Sequence, residues 1–164
     1  MAYRHGLFCI QEQSTGINVK NYWPSVVASG AMLLATDALS IERTLGSHML
    51  SSCDISKHQI AEFAYLQGSS DFLLDFAKTY DDRAGRMLNQ RVVNTWLQGN
   101  VTKLRQMMLE DNFGDTCKNL SQDERTRLVV AWADDIQIYI LAVDEIRGSY
   151  VLPYILQVKF SCIS

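Results

Sequence analysis

The two prolines of the chain, Pro24 and Pro153, lie near its ends and bracket a long interval without any. Proline removes a backbone donor and clashes with the preceding turn, so it is the commonest forced interruption of a helix. An interval of this length without one leaves helices free to run. Disorder is excluded by the composition: 48% of the residues are hydrophobic and 20% charged, enough apolar side chain to offset the entropy of ordering the backbone. At 164 residues the chain is expected to form one helical domain over residues 1–164.

Hydrophobic spacing places the helices. Pro24 suits a first helical turn, where its missing N–H costs nothing. From there Ala28, Ala31, Ala35 and Ala38 recur three and four apart, a stripe of small residues that lets another helix approach closely. Leu39 to Leu50 continues this helix or forms a second, with Gly46 a weak point. Asp54 or Ser56 caps a helix over about 56–67, ended by Gly68. A new helix begins at Asp71 and runs, with a break near Tyr80, to Gln98. Gly99-Asn100 reads as a stop and restart before a short helix over 101–111, with Leu104, Met107 and Met108 inward. Residues 112–120 read as loop.

Ser121-Gln122-Asp123-Glu124 matches a capping box, and Val129, Trp132, Ala133, Ile136, Ile140 and Val143 then follow helical spacing. This helix, about 122–147, is apolar on most sides and is expected to be central, ending at Gly148. The tail from Tyr150 is rich in Val, Ile, Tyr and Phe and reads as a short strand that could pair with residues 6–12. The expected fold is thus all-α: six or seven helices around the 122–147 helix, with at most a minor β pairing of the termini.

Charge and cysteine usage narrow the function. A net charge of −3, with no basic segment, argues against a dedicated nucleic-acid binder. The four cysteines, Cys9, Cys53, Cys117 and Cys162, are widely spaced without a C-x-x-C pair. This is neither zinc-ligand spacing nor a dense disulfide framework, and it reads as reduced thiols in a cytoplasm. The apolar run from Val26 to Leu34 falls short of the roughly 20 residues of a membrane span and reads as a buried core helix. No leader sequence is evident at the start, so no membrane association is expected.

Chemistry motifs are sparse. His5, His48 and His58 form no metal-binding pattern. Cys53 with His58 could pair as nucleophile and base only if folding joined them. Residues 60–78 have helix-turn-helix spacing, but the second helix offers Asp71, Asp75 and apolar bulk where a recognition helix presents polar and basic groups. Asp71 and Asp75, four apart, could converge with Asp134 and Asp135 on Mg²⁺ or Mn²⁺. Arg83, Arg86 and Arg91 form the best basic cluster, with Asp81, Asp82 or Glu62 as partners if the face is merely solvated. Phe72, Phe76 and Tyr80 make an aromatic stripe at helical spacing, either core or an exposed docking face. Met107 and Met108 would suit an adaptable contact surface.

These features point to a non-catalytic cytoplasmic interaction protein of adaptor, effector or inhibitor type, without a cofactor. It would bind a protein partner, or a second copy of itself, through the Phe72, Phe76, Tyr80 stripe and its rim of Arg83, Arg86 and Arg91. The alternative is an Mg²⁺- or Mn²⁺-dependent all-α hydrolase or diphosphate-processing enzyme using Asp71, Asp75, Asp134 and Asp135. A carrier with an apolar cavity between helices is a third reading.

Overall fold

The structure is a computed structural model that describes residues 19–93 and 95–161, with side chains described within 23–93 and 95–149. It is an all-α bundle: six α-helices and one π-helical turn, with no strand among the described residues. The helices are α1 (Val19–Ser52), α2 (Lys57–Tyr80), α3 (Asp82–Leu88), α4 (Trp96–Met108), α5 (Phe113–Lys118) and α6 (Gln122–Ser161), with the π turn at Asn89–Val93 between α3 and α4.

Three long helices make the frame. α1 has 34 residues and α6 has 40, so at 1.5 Å per residue they are about 51 and about 60 Å long. α1 packs along both α2 and α6. The central position therefore belongs to α1, not to the 122–147 segment. The small-residue stripe explains this: Ala28, Ala31 and Ala35 are buried together with Met32 and Leu39, so α1 can be approached closely from two sides. α4 leans on α6, and α3 with the π turn fills the space between the end of α2 and α6.

The helix boundaries show which local signals prevailed. Ser56 caps α2 through a full capping box: its side chain accepts from the Gln59 N–H, and the Gln59 side chain accepts from the Ser56 N–H. Ser121 and Glu124 repeat the device at α6. Asp81, extended between α2 and α3, accepts from the N–H groups of Arg83 and Ala84. α1 ends at Cys53, whose φ of 51° is left-handed; Cβ crowding normally disfavours this for a non-glycine residue.

Several expected boundaries are not there. α2 runs through Gly68, because a solvent-facing glycine only weakens a helix; this also removes the helix-turn-helix. Gly99-Asn100 lies inside α4, and the interruption falls earlier, at the π turn and Thr95. Residues 113–118 are helix rather than loop. Pro24 sits inside α1 rather than in its first turn. The tail is no strand: α6 passes Gly148 and continues to Ser161. The proposed strand over 6–12 lies outside the described residues.

Gly46 is no weak point but a contact. A Cβ there would stand 2.5 Å from Trp132 Nε1 and 2.6 Å from Cε2, so the α1–α6 crossing depends on its bare backbone. Trp132 is fully buried, donates its Nε1–H to the Arg43 carbonyl at 3.0 Å and packs against Phe63 with ring centroids 5.7 Å apart. It joins all three long helices in one core.

Candidate functional site

The polar centre of the bundle is built on Glu42 and Arg43, adjacent residues of α1. Consecutive helix positions point about 100° apart, so the pair serves two neighbours. Arg43 Nη1 donates to Gln137 Oε1 of α6. Glu42 faces α4, where Arg105 holds it with two parallel hydrogen bonds, Nε to Oε1 and Nη2 to Oε2, both 2.7 Å. Arg105 Nη2 also donates to Ser70 Oγ at 3.3 Å, and Nη1 to Asp71 Oδ1 at 3.1 Å. Arg105 side-chain exposure is 1% and that of Glu42 is 0%, while Asp71 is 44% exposed. One guanidinium thus ties α1, α2 and α4 together.

The electrostatics follow from burial. It pushes the Glu42 carboxyl above the ordinary carboxylate range, against the hydrogen bond and charge of Arg105. For Arg105, burial acts to lower its pKa, but the hydrogen bond and charge of Glu42, with Asp71 behind, outweigh this and raise it. Burial also raises the Tyr139 phenol of α6, against the pull of nearby Arg105. The cluster contains one cation and two carboxylates. Arginine suits such a place because it keeps its charge and its planar fork matches paired oxygens.

The aspartates expected to hold a metal do not converge. Asp71 is engaged by Arg105, Asp75 pairs with Lys78 of its own helix at 2.9 Å, and Asp135 accepts from Asn100 at 3.3 Å. Asp134 is exposed. Among the described residues no group of three or more His, Cys, Asp or Glu could hold an ion. Their positions along the helices aim them at different partners, so the Mg²⁺ or Mn²⁺ reading has no geometry behind it.

The aromatic stripe is exposed on α2: Phe72 and Phe76 have centroids 6.3 Å apart, and Phe76 and Tyr80 5.2 Å. Tyr80, Arg83 and Arg86 line an open polar groove with Pro24, Ser25, Thr79, Asp81 and Asp82. There Ser25 donates to Asp81 at 2.6 Å, joining α1 to the α2–α3 junction. Arg91 stands apart from this groove, paired with Glu145 of α6 at 2.9 Å.

Cys53 and Cys117 form a disulfide, Cα–Cα 5.4 Å, that ties the end of α1 to α5. Both are fully buried. The reading of these two as reduced thiols is therefore wrong, and Cys53 is no nucleophile for His58. The wide spacing hid the pair, since a disulfide needs proximity in the fold and not in sequence. Cys9 and Cys162 lie outside the described residues.

The family model for nitrate and nitrite sensing domains, NIT, matches residues 6–149. The chain belongs to the NIT family. No curated protein and no solved structure matches it. This membership overturns the expected adaptor, effector or inhibitor, and the expected metal-dependent hydrolase with it. NIT sensing domains are usually periplasmic or extracellular and linked to a membrane, which also removes the support for a cytoplasmic setting. In this chain the segment Trp23–Ser52 is long and apolar enough to cross a membrane by length and composition. A core helix passes the same test, and 44% of its most apolar window is buried in the bundle.

The residues that sequence reasoning missed are Glu42, Arg105, Ser70, Arg43 and Gln137. A signal existed for Arg105. It lies four residues after Val101 and three before Met108, on the face expected to point inward.

Proposed function

We propose that this chain is the anion-sensing domain of a nitrate- or nitrite-responsive receptor and faces an oxidising compartment. The observation that carries the reading is the NIT match over residues 6–149. The buried disulfide supports the compartment, because such bonds persist outside the reducing cytosol. The arginine-centred bundle supports the ligand class. Nitrate and nitrite are small planar monoanions, and guanidinium edges present paired donors that fit planar oxyanions.

A sensor needs two packings that bind the ligand unequally. α1 is the element best placed to report such a change. It carries Glu42 and Arg43, contacts both other long helices, and is tied at Ser25 to Asp81 and at Cys53 to Cys117. An anion that alters the pairing of one arginine alters the packing of α1 against α2, α4 or α6.

The test is a titration of the disulfide-intact protein with sodium nitrate and sodium nitrite at constant ionic strength, followed by thermal melting and calorimetry. Binding to the native state raises its stability by about 2.7 kcal/mol at a hundredfold excess over Kd. Nitrate or nitrite should raise the melting temperature where sodium chloride at matched ionic strength does not. Melting curves and heats indistinguishable from chloride for both anions would overturn the reading.

A further inference from the structure

Asp71 differs from every other group that holds Arg105. Glu42 and Ser70 are fully buried, whereas the Asp71 side chain is 44% exposed. Glu42 takes two donors of the guanidinium through a bidentate pair, and Asp71 takes Nη1 alone at 3.1 Å. Rotation of the Asp71 side chain into water breaks one hydrogen bond and leaves no buried carboxylate behind. Rotation of Glu42 would strand a buried charge, a costly outcome. The Asp71 edge is thus the edge of the guanidinium that can be exchanged with solvent.

We propose that Asp71 is a built-in competitor at Arg105: it occupies the Nη1 edge in the resting fold, and nitrate or nitrite takes its place when the sensor is loaded. This deepens the sensing function proposed above and rests on it. The exchange conserves local charge, since one monoanion leaves the guanidinium for water and another arrives. It conserves shape as well, because carboxylate, nitrite and nitrate are all small and planar and each presents an in-plane oxygen to Nη1. Sulfate, tetrahedral and dianionic, meets neither condition beside the buried Glu42.

The exchange also supplies a signal. Asp71 and Ser70 are neighbours on α2, and both accept from Arg105 of α4. Freeing Asp71 removes one of these ties and leaves the Glu42–Arg105 pair intact. The α2 helix then changes its hold on α4 while α1 keeps its own. The latch scales the apparent affinity by the fraction of time it is open; one closed nine-tenths of the time costs about tenfold.

The experiment compares wild type, Asp71→Ala and Asp75→Ala as full, oxidised chains. Asp75→Ala is the control: it removes the same charge one turn away, where the exposed carboxylate forms an ion pair with half-buried Lys78 of its own helix. Calorimetric titrations with sodium nitrate, sodium nitrite and sodium sulfate run at constant ionic strength. Asp71→Ala should bind nitrate at least about tenfold more tightly than wild type, Asp75→Ala should stay within about twofold, and sulfate should not gain. Asp71→Asn, which keeps the shape without the charge, should move in the same direction and guards against a folding defect in the alanine variant.

If wild type binds nitrate or nitrite and Asp71→Ala binds no more tightly than Asp75→Ala, the latch is wrong and the sensing function stands. If only Asp71→Ala binds measurably, the latch is supported and is strongly closed in wild type. If no variant responds to either anion, both the latch and the sensing function fall.

Discussion

Replacing Gly46 with alanine should destabilise the protein, against the usual sign of such a change within a helix. In an exposed helix interior Gly→Ala stabilises by about 1 kcal/mol. At Gly46 the new Cβ would meet Trp132 at 2.5, 2.6 and 2.9 Å, on Nε1, Cε2 and Cζ2. The indole is fully buried, so the ring cannot simply swing away. Overpacking of a core costs about 1–3 kcal/mol. A shifted indole also weakens its bond to the Arg43 carbonyl, worth about 1 kcal/mol. Against the helix-propensity gain the net loss is about 1–3 kcal/mol, read as a lower urea midpoint with an unchanged slope. Gly68 is the internal control: nothing lies within 4 Å of its added Cβ, so Gly68→Ala should stabilise by about 0.5–1 kcal/mol. If Gly46→Ala is as stable as wild type, or matches Gly68→Ala, then α1 and α6 do not cross at Trp132 as described.

Three further outcomes follow from the same contacts. Reducing the Cys53–Cys117 bond, or replacing Cys117 with serine, should cost about 2–4 kcal/mol in urea denaturation; alkylation of both thiols in denaturant without a reductant would show that the bond is absent. Arg105→Met should cost about 3–5 kcal/mol by leaving Glu42 buried without its partner, and the Glu42→Met, Arg105→Met double variant should recover most of it; a double variant as unstable as the single one would contradict this. Because burial raises the Glu42 carboxyl in the fold, its contribution to stability is full below the unfolded value near 4.5 and is lost as pH rises through the folded value. The stability difference between wild type and Glu42→Gln should therefore shrink as pH rises from below about 4.5, and a difference that grows with pH would show the carboxyl is depressed instead.

The fold class was legible because its causes are local. A capping box at Ser121, a cap at Asp54 or Ser56, and a long proline-free interval are short-range facts; the Ser121 box forms as read, and Ser56 is the residue that caps α2. What was not legible depended on partners. Gly68 and Gly99 read as stops, yet a helix held by tertiary packing tolerates a glycine that faces water. Gly46 read as a weakness because the sequence does not show Trp132 opposite it. The 122–147 segment looked central because it is apolar on most sides. The structure gives that place to α1, whose alanines allow two neighbours to approach, and leaves Ile138 and Leu141 exposed on α6.

The functional site failed for a related reason. Asp71 was grouped with other carboxylates because like residues invite a common role, and helical spacing placed Asp71 and Asp75 on one side of α2. A turn of helix nevertheless separates two environments: Asp71 reaches a buried guanidinium 34 positions away, and Asp75 reaches a lysine three positions away. The informative pattern was a charged residue among inward apolar neighbours, Arg105 with Leu104 and Met108 and Glu42 with Leu39 and Leu45. A buried charge must be paired, so two such residues of opposite sign on different helices predict one another. Glu42 and Arg105 are 63 residues apart and meet with both donors and both acceptors aligned. The surplus carboxylate, Asp71, is the one group the pair does not need for neutrality, which is why the proposed exchange falls on it and not on Glu42.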